Sequence, residues 1–255
     1  MIEIIKFPAG EVTARVGDVG DIESPFLIRC DFRSYDDIFV ALSTANAVRH
    51  ARPDVFIRLL IPYFPSSRQD RVTDVGHSFD AQVVAGVLSS GEFDKIVTWD
   101  AHSDVLSALF APGIFVNIPQ YELLAHLVDD IHNPVLISPD AGAGKKTHKL
   151  SEWLDIPMLQ ASKVRDIRTG ALSGADIPYD SCYDDRHMVI VDDICDGGRT
   201  FLNLAVAVKA KYKPKSLHLV VTHGIFSKGK QVLLDVFDSV QAANDFTTKQ
   251  ENNNV

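Results

Sequence analysis

Between residues 189 and 201 an apolar run, Val189-Ile190-Val191, meets two adjacent acids, Asp192 and Asp193. Asp196, Gly197, Gly198, Arg199 and Thr200 then lead into a segment of helical period. Glycines let a backbone turn tightly and approach a ligand, and the start of a helix presents unpaired N–H groups to an anion. Thr200 adds a hydroxyl and Arg199 a positive charge, while Asp192 or Asp193 at the carboxyl edge of a strand can accept hydrogen bonds from sugar hydroxyls. That edge is the usual ligand position in an open α/β sheet. An ordinary helix N-cap uses the same residue types, so the string alone stays open between a phosphate cradle and a plain helix start.

Other residues carry chemistry of related kinds. Arg68 follows an apolar run and can grip phosphate oxygens in a fork, and Gln69 offers both donor and acceptor to a base edge. Taken alone, Arg68-Gln69-Asp70-Arg71 also reads as a solvated turn with local ion pairs. His102 and Asp140 end strands in different halves of the chain, where both could face one cleft. Lys163 and Arg165 open the stretch 163–186, which is rich in Arg, Asp, Gly and Ser and lacks a sustained apolar period. A stretch of that length without structure often acts as a lid.

The elements that must position these residues follow a repeating grammar. Strands are predicted at 26–30, 55–61, 95–99, 114–118, 134–138, 187–191 and 216–222. Helices are predicted at 36–51, 78–90, 120–130, 144–154 and 200–212. Within 36–51, Ile38, Ala41, Leu42, Ala45 and Val48 recur at three- and four-residue steps, the stripe of an amphipathic helix. Strand–helix alternation implies mainly parallel sheets flanked by helices. Two such sets imply an α/β protein of two domains, residues 1–131 and 132–255, joined near 130–134, with the polar tail TTKQENNNV frayed.

Composition narrows the partners. Twenty-five Lys and Arg stand against 34 Asp and Glu, a formal charge of −9, which disfavours a nonspecific nucleic-acid binder. Three scattered cysteines, Cys30, Cys182 and Cys195, form no disulfide framework or zinc knuckle and favour a reducing compartment. No apolar run approaches about 18 residues and no signal peptide is visible, so a cytoplasmic protein without a membrane span is expected.

The loop at 189–201 resembles the phosphoribosyl-diphosphate loop shared by phosphoribosyltransferases and ribose-phosphate pyrophosphokinases. Four further segments resemble the pyrophosphokinases specifically. They are Ile61-Pro62-Tyr63-Phe64 with Arg68-Gln69-Asp70-Arg71, Trp99-Asp100-Ala101-His102-Ser103, Ile137-Ser138-Pro139-Asp140-Ala141-Gly142 with Lys145 and Lys146, and Thr222-His223-Gly224-Ile225-Phe226-Ser227. With Phe7-Pro8-Ala9-Gly10-Glu11, which resembles the family's Phe-x-Asp-Gly-Glu, they run in the family's order from Phe7 to about Asn244.

The resemblance implies two phosphoribosyltransferase-like domains with the active site between them. It implies transfer of the pyrophosphoryl group of magnesium-bound ATP to the anomeric hydroxyl of ribose 5-phosphate, giving phosphoribosyl diphosphate and AMP. It assigns Phe7, Glu11, Arg68, Gln69 and His102 to ATP, and His102 and Asp140 to Mg2+. Asp192, Asp193 and Asp196 to Thr200 fall to ribose 5-phosphate, and Lys163 and Arg165 to catalysis. It also implies a homo-oligomer, a dimer or a hexamer. The alternatives are a phosphoribosyltransferase that consumes the diphosphate, and a non-catalytic relative that binds an active synthetase.

Three departures from the family pattern stand out. Ala9 replaces an aspartate. The loop reads Asp-Gly-Gly-Arg-Thr where the family has Asp-Thr-Ala-Gly-Thr, losing one hydroxyl donor and gaining Arg199. The chain is also short for the family.

Overall fold

Apolar runs separated by amphipathic helices build two parallel sheets, each with its own core. The structure, a computed structural model, describes residues 2–165 and 172–248, and the side chains of 163–165 and 172–173 also fall outside the description. The chain divides into two compact units, one over residues 2–118 and the other from 119 onward.

The first unit opens with an antiparallel hairpin, β1 (Ile2–Lys6) and β2 (Val12–Val16). It continues through β3 (Phe26–Arg29), α1 (Tyr35–Ala51), β4 (Ile57–Leu60), α2 (Asp80–Ser89), β5 (Lys95–Trp99), the short α3 (Val105–Ala108) and β6 (Phe115–Ile118). Strands β3, β4, β5 and β6 pair in chain order, all parallel. Asp37 starts α1 by accepting from the Arg33 and Ser34 N–H groups at 2.7 and 2.8 Å, satisfying donors that a helix start leaves open. The α1 stripe Ile38, Ala41, Ala45 and Val48 is buried with Ile28, Ile57, Leu59 and Ile96 of the sheet and Ala81, Val84 and Leu88 of α2.

The second unit contains α4 (Gln120–Asp129), β7 (Pro134–Ser138), α5 (Ala141–Leu154), β8 (Met158–Gln160), β9 (Ser162–Arg165), β10 (Leu172–Asp176), β11 (His187–Cys195), α6 (Arg199–Lys211), β12 (Ser216–Gly224), the short α7 (Gln231–Leu234) and β13 (Ser239–Asp245). Its five-stranded sheet is parallel throughout, in the order β13-β12-β11-β7-β8. On one face Ile137, Ile190 and Leu219 pack with Phe201, Leu204 and Val208 of α6. On the other, Leu136, Val189 and Val220 pack with Leu124 and Val128 of α4 and Leu150 of α5. Burial on both faces is why β7 reads as an unbroken apolar run, every residue of which is buried.

Several elements depart from the sequence reading. Helix α4 packs against the second sheet, in the unit that begins at residue 119, whereas the sequence places the join near 130–134. The stretch 163–186, which lacks any periodic signal of regular structure, carries most of the antiparallel pair β9 and β10 and a 3-10 turn at Ser181–Tyr183, while residues 166–171 of the expected lid lie outside the described residues. Edge strand β13, Ser-Val-Gln-Ala-Ala-Asn-Asp, is absent from the sequence prediction because its small and polar residues carry no strand signal. Among the described residues no helix is long and apolar enough to cross a membrane.

Candidate functional site

The second sheet changes direction at β7 and β11. From β7 the chain moves outward to β8, and from β11 it moves the opposite way to β12 and β13. Ligands of open α/β sheets bind outside the carboxyl ends of the strands at such a switch point. Asp140 follows β7, and Asp192 and Asp193 lie within the carboxyl end of β11, still in register with β12 through Asp192 and Val221.

Helix α5 starts at Ala141, three residues earlier than its apolar period indicates. Asp140 is its N-cap, with Oδ1 accepting from the Ala143 N–H at 3.0 Å. Lys146, in the second turn of α5, places Nζ 3.4 Å from Asp193 Oδ2. Asp193 is only 8% exposed, so this cation offsets a carboxylate withdrawn from water. The Asp193 N–H also donates to Asp192 Oδ1 at 2.9 Å. Burial, the Asp193 charge and the Asp140 charge push the Asp192 carboxyl well above its ordinary range. Three carboxylates therefore influence one another at the switch point.

Beyond them the chain turns through Asp196 and Gly197 to Gly198, the N-cap of α6, and Arg199 and Thr200 are the first helical residues. Gly198 has φ +76, in the left-handed region, and a Cβ there would lie 2.8 Å from Leu233 Cδ2. The second glycine is thus required by backbone conformation and by close packing. Cys195 just before the loop is buried, and burial together with the Asp192 and Asp196 charges raises its thiol pKa to about 12. It is a packed, protonated thiol at neutral pH.

The neighbouring strand end completes the edge. A Cβ at Gly224 would lie 2.1 Å from the Phe226 ring, which accounts for the glycine in Thr222-His223-Gly224-Ile225-Phe226. The Ile225 and Phe226 N–H groups both donate to the Cys195 carbonyl, at 2.8 and 3.1 Å. Buried His223 meets Asn244 of β13 at 3.2 Å, and Lys230 Nζ lies 3.0 Å from Asp245 Oδ2. Burial works against the Asp245 carboxylate, but hydrogen bonds from Thr247 and Lys230 hold its pKa below the ordinary value. Lys146, Lys228, Lys230 and Asp245 have no assigned role in the sequence reading. Their signals there are faint: the Lys145-Lys146 pair after Asp140 and the Lys-Gly-Lys after Ser227.

In the first unit, Arg68 and Gln69 are exposed on the turn after β4, and exposed His102 follows β5 on the adjacent strand. The Gln69 carbonyl accepts from the Ala81 N–H at 3.2 Å, which anchors that turn to the start of α2. Asp100 is buried at φ +45 with its N–H donating to the Ile118 carbonyl at 2.7 Å, fixing how the chain leaves β5 before His102. The same edge carries Arg29, whose Nε donates to Asp31 at 2.8 Å and whose guanidinium lies 5.8 Å from the Trp99 ring centroid. It also carries the ring contacts of Phe32 with Tyr35 and Tyr63. Phe7 and Glu11 lie on a different element, the exposed turn of the β1–β2 hairpin, where the Phe7 N–H donates to the Glu11 carbonyl at 2.8 Å. Lys163 and Arg165 belong to β9, paired with Ala175 and Leu172 of β10, but their side chains lie outside the described residues.

Among the described residues no three His, Cys, Asp or Glu side chains come together as a group that could hold a metal ion. Asp140, the sequence-expected ligand in this unit, supplies carboxylate oxygens, the ligand type magnesium prefers. Burial, with the Asp193 and Asp140 charges, raises the Asp192 pKa, and a nearby cation would offset that shift.

Comparison with known proteins supports the fold. The phosphoribosyl transferase domain family matches residues 120–250, just over half the chain. Ribose-phosphate pyrophosphokinase of Pyrococcus abyssi is 29% identical over 230 residues, covering 89% of this chain and 78% of that protein. The enzyme of the same name from Haemophilus influenzae is 26% identical over 255 residues, covering 97% and 79%. The crystal structure of phosphoribosylpyrophosphate synthetase from Mycobacterium smegmatis shares the fold with a TM-score of 0.77 at 21% identity, covering 93% of this chain and 77% of that one. This chain belongs to the phosphoribosyl transferase domain family, and along nearly its whole length it is similar to the ribose-phosphate pyrophosphokinases.

Proposed function

We propose that this protein is a ribose-phosphate diphosphokinase, transferring the pyrophosphoryl group of ATP to the anomeric hydroxyl of ribose 5-phosphate and releasing AMP. The observation that carries this reading is the second-unit switch point. There a carboxylate pair on β11 stands beside a glycine turn into α6, in a chain similar end to end to ribose-phosphate pyrophosphokinases.

Asp196 to Thr200 would receive the 5-phosphate, using the N–H groups at the start of α6, the Thr200 hydroxyl and the Arg199 charge. Asp192 and Asp193 would accept hydrogen bonds from the ribose hydroxyls. That role needs Asp192 ionised, and a hydroxyl donor or a nearby cation favours the ionised form. Arg68, Gln69 and His102 would hold ATP, with Phe7 and Glu11 adding contacts to its base.

The family resemblance makes magnesium the metal, which His102 and Asp140 would hold. Such an ion would supply neutralisation of phosphate charge and Lewis-acid polarisation of a phosphoryl oxygen. Lys163 and Arg165 would stabilise the charge that builds as pyrophosphate transfers. The attacking hydroxyl loses its proton, the bond from oxygen to the β-phosphorus forms, the α–β bridge breaks and AMP departs. Positioning and charge stabilisation supply most of the catalysis in such transfers. A homo-oligomer, dimer or hexamer, in the cytoplasm completes the proposal.

The test is to incubate the purified protein with magnesium, ATP and ribose 5-phosphate and follow AMP. AMP should appear only when ribose 5-phosphate is present, and Lys163→Ala should reduce the rate by at least two orders of magnitude, as loss of a transition-state charge contact does. No AMP above the Lys163→Ala control, with both substrates shown to bind, would overturn the proposal.

A further inference from the structure

The phosphate loop lacks the hydroxyl that Thr would supply at position 197, and the structure shows what occupies the space. A Cβ built on Gly197 would contact Lys228 Cε, Cδ and Cγ at 3.6, 3.7 and 3.9 Å. The lysine stem therefore lies along the bare side of the loop. Its placement is fixed by backbone: the Ile225 and Phe226 N–H groups are both bonded to the Cys195 carbonyl, the residue before Asp196. The Gly229 N–H then donates to the Phe226 carbonyl at 2.8 Å, closing a tight turn with Ser227 and Lys228 at its centre. Gly229 at φ +81 and Phe226 at φ +49 shape that turn. The turn and the phosphate loop are clipped to one another, and Lys228 stands exposed at the junction.

The two lysines of this turn are differently engaged. Lys230 is held by Asp245 at 3.0 Å and lies 5.3 Å from the Phe226 ring centroid, a structural role. Lys228 instead follows Gly197 toward the loop. From this we infer that Lys228 is a substrate-specificity residue, whose ammonium takes the place of the missing threonine hydroxyl and binds the phosphate of a sugar phosphomonoester. A hydroxyl gives one neutral donor, whereas an ammonium gives three donors and a full charge. Charge-assisted hydrogen bonds to phosphate are roughly twice as strong as neutral ones. Selectivity for a phosphorylated pentose over the free sugar then depends on Lys228, whose stem runs within ordinary van der Waals distance of a Cβ at 197. The inference rests on the proposed function for the identity of the sugar phosphate.

The experiment compares wild type, Lys228→Ala, Lys228→Arg, Lys230→Ala and the double variant Gly197→Thr/Lys228→Ala. Affinity for ribose 5-phosphate is read by calorimetric titration, and KM and kcat from AMP release. Lys228→Ala should weaken ribose 5-phosphate binding and raise its KM about tenfold or more, the value of a charged hydrogen bond, with kcat and the KM for ATP within about threefold. Lys228→Arg should keep most of the affinity, and Gly197→Thr in the Lys228→Ala background should recover part of it. Lys230→Ala should lower the melting temperature with ribose 5-phosphate affinity nearly unchanged. Equal ribose 5-phosphate affinity in wild type and Lys228→Ala would overturn the assignment while leaving the proposed reaction standing. A wild type that binds ribose 5-phosphate but forms no AMP would overturn the reaction, and the titrations would still decide the role of Lys228.

Discussion

Lys146 Nζ stands 3.4 Å from Asp193 Oδ2 and ties the start of α5 to the carboxyl end of β11 across the switch point of the sheet. Asp193 is nearly buried and shares its surroundings with Asp192, so the lysine offsets negative charge that would otherwise oppose folding. Lys146→Ala should cost about 1–2 kcal/mol, less than a fully buried pair because the ammonium is partly hydrated. Asp193→Asn added to Lys146→Ala should recover part of that loss. Urea unfolding of the four proteins of this double-mutant cycle measures both effects.

Asp192 offers a case in which removing a charge stabilises the fold and removes function. Its carboxyl pKa is raised by burial and by Asp193 and Asp140, so the folded state holds a proton that the unfolded chain releases. For a raised acid the cost to stability begins above the unfolded pKa and grows as pH rises through the folded one. At neutral pH, Asp192→Asn should therefore raise the melting temperature by a few degrees, what about 1 kcal/mol is worth in a protein of this size. The same variant should lose ribose 5-phosphate binding. Calorimetric melting and titration on one preparation check the pair of outcomes.

Gly198 at the start of α6 and Gly224 at the end of β12 are predicted to be intolerant of a side chain. Gly198→Ala meets both a left-handed φ of +76 and Leu233 at 2.8 Å, and should cost about 1–3 kcal/mol while weakening sugar phosphate binding. Gly224→Ala drives a methyl into the Phe226 ring and should destabilise at least as much. At Gly86 of α2 a methyl would meet no atom within 4 Å, so Gly86→Ala should be neutral or stabilising by up to about 1 kcal/mol. Denaturant midpoints of the three variants rank them.

At the opposite edge of the second sheet, Ser216 Oγ bridges His187 Nδ1 at 2.6 Å and His218 Nε2 at 2.5 Å, and His218 Nδ1 meets Ser239 Oγ at 2.7 Å. Burial lowers the His218 pKa from 6.5, Asp238 opposes the shift and His187 adds to it. Below pH 6.5 the unfolded chain takes up a proton that the folded state resists, so this contribution to stability is lost as pH falls from 6.5 toward the folded pKa. A His218→Gln variant should show a shallower decline in melting temperature between about pH 7 and 5.5. Equal slopes in the two proteins would contradict this.

The parts of this architecture legible in the sequence are those where one physical signal dominates. β5 and β7 are legible to the residue because their apolar runs are bounded by polar or proline residues, and α1 because its stripe faces one core. β13 is not legible, since an edge strand of alanines and short polar residues gains its stability from pairing with β12. The residue types Asp140, Asp192 and Gly198 are legible as site chemistry. The proximity of Asp140 to Asp192 is not, because it depends on β7 lying beside β11, a long-range pairing. The contact of Lys228 with Gly197 is hidden for the same reason, arising only when the turn after β12 bonds to the Cys195 carbonyl.

The most direct test of the central claim is a phosphorus-31 NMR time course of the protein with magnesium, ATP and ribose 5-phosphate. The account predicts AMP and phosphoribosyl diphosphate rising in equal amounts, with the β- and γ-phosphates of ATP appearing together on the sugar. Formation of ADP, or of no new phosphorus signals while both substrates bind, would contradict it.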